Sequence, residues 1–113
     1  MSNRLAGKVQ TVLGPIEPGN LGMTSMHEHL LLDFTVVFQE PDAATEKGKA
    51  FQPITIENLA WVRYDPFRSF DNLRLLDEDT AAAEALQFKR AGGGTIVEVT
   101  TVWIERDPAA LAR

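Results

Sequence analysis

Polar and apolar residues alternate from Lys8 to Leu13 (KVQTVL), and the run ends at Gly14-Pro15, which predicts a short strand feeding a turn. Pro18-Gly19-Asn20 marks a second reversal, so residues 8–26 read as an N-terminal β-hairpin leading into the next strand. That strand is predicted over residues 23–32 (MTSMHEHLLL), with a polar middle between apolar ends. From Phe34 to Pro53 the periodicity is lost, interrupted by Pro41, Asp42, Lys47, Gly48 and Lys49. Residues 34–53 therefore read as one long loop, of the kind that serves as a lid, a binding loop or a dimer contact, or else is disordered. Thr55 is a candidate cap for a short helix over residues 55–63, which Pro66 keeps from continuing.

The strongest helical signal covers residues 77–91. Asp77 or Asp79 can accept from free first-turn amides, Glu78 suits the positive end of the dipole, and Ala81, Ala82, Ala83 and Ala85 favour helix. Ala82, Ala85, Leu86 and Phe88 are expected to form its buried stripe, and Gly92 to take the left-handed conformation that ends it. Residues 94–101 (GTIVEVTT) are rich in β-branched side chains, as in a strand buried on both faces of a parallel sheet. Asp107-Pro108 then sets a cap and an N1 proline at the start of a further helix over residues 107–113. Strand, loop, helix, strand and helix start make a βαβα series, so the fold class is α/β.

At 113 residues the chain falls in the size range of one domain. Its 44% hydrophobic and 24% charged residues are those of a globular protein and exclude disorder and fibre. Sixteen acidic against eleven basic residues give a net charge of −5, with no basic cluster to drive phosphate-backbone binding. Nucleic acid is therefore not an expected partner. No apolar run spans a bilayer, and residues 1–14 lack the apolar stretch of a signal peptide, so no membrane partner is expected either. The absence of cysteine removes disulfides and thiolate chemistry and makes a reducing cytoplasm the expected compartment.

Both histidines of the chain, His27 and His29, lie two residues apart on the predicted strand. Side chains at i and i+2 leave one face of a strand about 6–7 Å apart, close enough for two imidazoles to lean onto one ion. A His-x-His pair is an unspecific motif, and two solvated or hydrogen-bonded histidines are its plain structural reading. Its position at the end of a strand before a long loop favours a ligand site, because ligands gather at that edge of parallel α/β sheets. Asp33 is a candidate outer ligand or imidazole partner, with a loop-start cap as the plainer role. Glu98 can point toward the same place or serve as a polar residue of an inner layer, and Trp103 can line a pocket or pack a loop. Trp61 and Tyr64, three apart, are expected to share a helix face.

The segments LGMTSMHEHLLLDF (Leu21 to Phe34), GGGTIVEVTT (Gly92 to Thr101) and RDPAALA (Arg106 to Ala112) resemble the start of the phosphotriesterase family within the amidohydrolase superfamily. The resemblance runs from Val9 to the last residue. It implies an N-terminal β-hairpin followed by the first two β/α units of a (β/α)8 TIM barrel, residues 1–113 forming a single partial domain. It also implies two divalent metals, usually zinc, at the C-terminal face, with the more buried one held by the histidines that match His27 and His29. A metal-activated hydroxide would hydrolyse a small-molecule phosphotriester, lactone or related ester.

Such a barrel takes about 250 residues. The family's lysine of strand 4, histidines of strands 5 and 6 and aspartate of strand 8 have no counterparts here, so the carried-over site stops at His27 and His29. The leading expectation is the N-terminal segment of a metal-dependent hydrolase, inactive as this chain alone, with a homodimer as a candidate assembly. The alternatives are a small stand-alone metal-binding or interaction module using His27, His29 and a carboxylate such as Asp33, and a non-catalytic homologue whose histidines merely pack.

Overall fold

Three two-stranded sheets join the strands of the described chain. The computed structural model describes residues 5–113, so part of the 1–14 stretch read as leaderless lies outside the described residues. Along the chain the elements are β1 (Val9–Thr11), β2 (Gly14–Ile16), β3 (Met23–Glu28), β4 (Leu32–Asp33), α1 (Ala44–Ala50), α2 (Leu59–Tyr64), β5 (Arg74–Leu75), α3 (Glu78–Arg90), β6 (Gly93–Glu98) and α4 (Pro108–Ala112). The chain divides into two compact units. The first combines residues up to Leu30 with Asp77–Thr100 and Asp107–Arg113, and the second combines Leu31–Leu76 with Thr101–Arg106.

In the first unit, β1 pairs antiparallel with β2, Val9 opposite Ile16 and Thr11 opposite Gly14. Gly14 turns the chain at a φ of 116°, which a side chain would resist. The Lys8 ammonium meets the Glu17 carboxylate. Parallel pairing of β3 with β6 runs from Met23 opposite Gly93 to Glu28 opposite Glu98. Parallel strands need a crossover, and α3 is its last leg. Asp77 starts α3 by accepting from the Asp79 amide at 3.0 Å and the Thr80 amide at 3.4 Å. Gly92, at a φ of 98°, turns the chain from α3 into β6.

The buried stripe of α3 differs from the expected one. Ala81, Ala85 and Phe88 are half-buried, whereas Ala82 is exposed and Leu86 is 42% exposed. The helix is rotated so that the Phe88 ring lies over Gly93, which has no side chain to hold it off. The strand expected over 94–101 is observed over Gly93–Glu98, half-buried rather than covered on both faces, because β3 is its one partner among the described strands. Asp107 caps α4 by accepting from the Ala110 amide at 2.9 Å, and Pro108 opens the helix. The Arg113 guanidinium reaches the Glu78 carboxylate at 2.5 Å.

In the second unit, β4 pairs antiparallel with β5, Leu32 opposite Leu75 and Asp33 opposite Arg74. The single strand expected over 23–32 is thereby broken after Glu28. The run Leu30-Leu31-Leu32 has no alternation to hold one register, and Leu31 is buried. The long loop expected over 34–53 is not structureless: it contains a 3-10 turn at Thr35–Val37 and the helix α1. Gly48 and the two lysines hid α1 from the pattern, although Glu46 in its first turn and Lys47 and Lys49 in its last suit the helix dipole.

The short helix expected over 55–63 is observed as α2, Leu59–Tyr64, and its cap is Asn58 rather than Thr55. The Asn58 side chain instead ties the approach together, accepting from the Thr55 amide at 2.8 Å and donating to the Pro53 carbonyl at 2.9 Å. Ala50, Val62, Ser69 and Leu73 are buried. Beside them the rings of Phe38, Phe51 and Phe70 meet pairwise with centroids 5.3 to 5.6 Å apart. The Arg74 guanidinium stands 4.7 Å from the Phe70 centroid.

Candidate metal centre

β3 leaves its parallel ladder irregularly near its end. Between Ser25 opposite Ile96 and Glu28 opposite Glu98 it spends three steps against two on β6, so one extra residue is accommodated beside His27. Such irregularities re-aim side chains and are common beside active sites. His27 is on the strand and His29 just past its end, followed by the ladder bond from the Val99 amide to the Glu28 carbonyl at 3.0 Å. The two imidazoles stand edge to face, with centroids 5.4 Å apart. Glu28, between them in sequence, accepts from the Ser25 hydroxyl at 2.6 Å.

The pair suits a divalent ion. With Zn–N bonds of about 2.0–2.1 Å and tetrahedral angles, two imidazoles on one ion would have centroids about 5 Å apart. The observed 5.4 Å is close to that, and neutral imidazole is a donor of the right kind. Two donors fill half of a tetrahedral shell. Among the described residues no group of three or more His, Cys, Asp or Glu side chains is placed to hold an ion.

Glu98, the last residue of β6, belongs to the same cluster through Thr100. His29 Nδ1 lies 2.9 Å from Thr100 Oγ1. The Thr100 hydroxyl donates to Glu98 Oε1, and the Thr100 amide donates to Glu98 Oε2 at 3.2 Å. Thr100 is buried, at 2% exposure, while His29 and Glu98 are half-buried and His27 is exposed. Thr100 is absent from the sequence candidates. Its signal is present in retrospect: Thr100 stands two residues beyond Glu98, which ends the strand that pairs with the histidine strand.

The remaining candidates lie in the second unit. Asp33 Oδ1 accepts from the Thr35 hydroxyl at 2.5 Å and the Thr35 amide at 2.9 Å, which holds its carboxyl below the ordinary aspartate range. Its bonds are those of a turn cap at the start of the Thr35–Val37 turn. Trp103 lies in the Val102–Ile104 turn, 84% exposed. Trp61 and Tyr64 do not share a covered face, since Tyr64 is 91% exposed while Trp61 is half-buried. Trp61 lines a cavity of about 430 Å3 with Lys49, Gln52, Pro53, Thr55, Glu57 and Asn58. No helix among the described residues is long and apolar enough to cross a membrane.

The sequence matches the Phosphotriesterase family over residues 7–113. It is 50% identical over 104 residues to N-acetyltaurine hydrolase of Salmo salar, an alignment that covers 91% of this chain and 30% of that protein. It is 43% identical over 110 residues to N-acetyltaurine hydrolase of Homo sapiens, covering 96% of this chain and 31% of the relative. The structure is similar to the crystal structure of a resiniferatoxin-binding protein from Rhodobacter sphaeroides, with a TM-score of 0.91 and 42% identity. That match covers 96% of this chain and 30% of the other. The chain thus spans about 30% of the length of the curated relatives it matches.

Proposed function

Because the chain belongs to the phosphotriesterase family, we propose that it forms the N-terminal part of a metal-dependent hydrolase, in which β3 and β6 are the first two strands of a (β/α)8 barrel. His27 and His29 would hold a divalent cation, zinc by the chemistry of the donors. The observation that carries this reading is the imidazole pair at the end of a parallel strand, with 5.4 Å between centroids. The cation supplies Lewis acidity toward water and the scissile bond when bound. The chain's own residues hold and orient: His27 and His29 present ring nitrogens, and β3 and β6 fix where they stand.

For the substrate, the names of the relatives favour an N-acyl amide of the N-acetyltaurine kind. The family's name favours the second reading, a phosphotriester, lactone or related ester. Because two imidazoles are half of a tetrahedral donor set, the 113-residue chain alone is expected to turn over neither class. A cytoplasmic location completes the proposal, in keeping with the cysteine-free sequence.

Calorimetric zinc titration of the chain, alongside the His27→Ala/His29→Ala double variant, tests the metal reading. Binding that disappears in the double variant supports it, and binding that is absent or unchanged overturns it. Assay of the zinc-loaded chain on N-acetyltaurine and on an aryl ester tests the rest. Efficient turnover of either would overturn the inference that this segment alone is inactive.

A further inference from the structure

His29 can present a lone pair to a cation from one ring nitrogen only if its proton sits on the other, and a solvated neutral histidine side chain prefers the proton on Nε2. The surroundings of Nδ1 therefore decide whether Nε2 is a donor to metal or a capped N–H. Nδ1 faces the hydroxyl of Thr100 at 2.9 Å, and a hydroxyl can either donate or accept there. Which of the two it does is set one step further out.

Glu98 makes that choice. An ionised carboxylate accepts and never donates, and the two Glu98 oxygens are both occupied by Thr100, one by its hydroxyl and one by its amide at 3.2 Å. The single hydroxyl proton of Thr100 is thus committed to Glu98, which leaves only oxygen lone pairs facing His29. Nδ1 must then carry the proton and donate it to Thr100, and Nε2 is left as the lone-pair nitrogen. The 2% exposure of Thr100 keeps water from substituting for either partner.

We infer that Thr100 is a positioning residue for His29, its hydroxyl oriented by Glu98 so that the imidazole is held as the Nδ1–H tautomer with Nε2 free to bind a cation. The inference rests on the reading of His29 as a metal ligand, yet the tautomer is measurable without metal. Glu98 acts on the imidazole through Thr100 rather than by touching it, which distinguishes this arrangement from a direct carboxylate–histidine pair.

The test is two-bond 15N–1H correlation of the imidazole rings in the metal-free chain at mildly alkaline pH, with circular dichroism on the same samples. Wild type is expected to show the Nδ1–H tautomer at His29. Thr100→Val, which keeps the shape and removes the hydroxyl, is expected to return His29 toward the Nε2–H form of a solvated histidine, and Thr100→Ser to restore the wild-type pattern. Glu98→Gln, whose amide can turn a donor toward the hydroxyl, is expected to give a mixture. In zinc titration the Thr100→Val and Glu98→Gln variants should bind about 10- to 100-fold more weakly, with Thr100→Ser near wild type. An Nε2–H tautomer in wild type, or an Nδ1–H tautomer that persists in Thr100→Val, overturns the inference. A correct tautomer series with no zinc binding in any variant would overturn the metal reading and leave the positioning intact.

Discussion

Replacing Gly94 with alanine should weaken the β3–β6 pair although Gly94 is exposed. A Cβ there would stand 2.5 Å from the Leu21 carbonyl oxygen, 3.1 Å from Gly22 Cα and 3.3 Å from the Leu21 carbonyl carbon. All three neighbours are backbone, so the chain leading into β3 must move away from β6 rather than a side chain turn aside. Overpacking of this kind costs about 1–3 kcal/mol. Against it stands the entropy that alanine removes from the unfolded chain, a gain of about 0.4–1 kcal/mol.

The net is a loss of up to about 2.5 kcal/mol, or up to roughly 70-fold in the folding equilibrium, since about 1.4 kcal/mol is tenfold. Two companions set the scale. At Gly93 the colliding group is the Phe88 ring, which can swing, so Gly93→Ala should cost less than Gly94→Ala. At Gly48, inside α1 with nothing within 4 Å of a Cβ, alanine should stabilise by about 0.5–1 kcal/mol. Denaturant unfolding followed by far-ultraviolet circular dichroism orders the three variants. A Gly94→Ala chain more stable than wild type, or a Gly48→Ala chain less stable, would refute the steric reasoning.

Asp33 and Asp77 are both held below the ordinary aspartate range, chiefly by the hydroxyls of Thr35 and Thr80. Their stabilisation is full above the unfolded value of about 3.9 and is lost as pH falls through the lower folded values. Asp77→Asn keeps a cap but removes its titration, so it should flatten the acid limb of a stability–pH curve while changing neutral stability little; an unchanged acid limb would contradict this. Leu73→Ala, at a 4% exposed position, should cost about 2–5 kcal/mol and speed hydrogen exchange at the Phe34 amide, which bonds the Leu73 carbonyl. With Trp61 half-buried and Trp103 84% exposed, iodide should quench mostly the Trp103 emission, and Trp103→Phe should remove most of the quenchable fluorescence.

Elements with their own local chemistry were legible in the sequence. Asp77, the alanine run and Gly92 each act within one helix, and Asp107-Pro108 within another, so residue order alone carries them. The misses required tertiary information. Nothing local distinguishes Ala81 from Ala82 on an alanine-rich helix such as α3; the rotation that half-buries Ala81, Ala85 and Phe88 is chosen by the bare backbone at Gly93. The break of the 23–32 strand follows from β5, since Leu32 and Asp33 take partners far along the chain at Leu75 and Arg74.

The site divides the same way. His27 and His29 are legible because the chemistry sits within one short stretch of strand. Thr100 is not, because a threonine in GTIVEVTT is what β propensity alone would place there. Its meaning comes from the parallel register of β6 with β3, which sets Glu28 opposite Glu98 and brings the residue two beyond Glu98 to Nδ1 of His29. Among the described residues the Glu98 carboxylate does not complete a three-donor group with the two histidines. Both of its oxygens accept from Thr100, so it bears on His29 through the hydroxyl it orients.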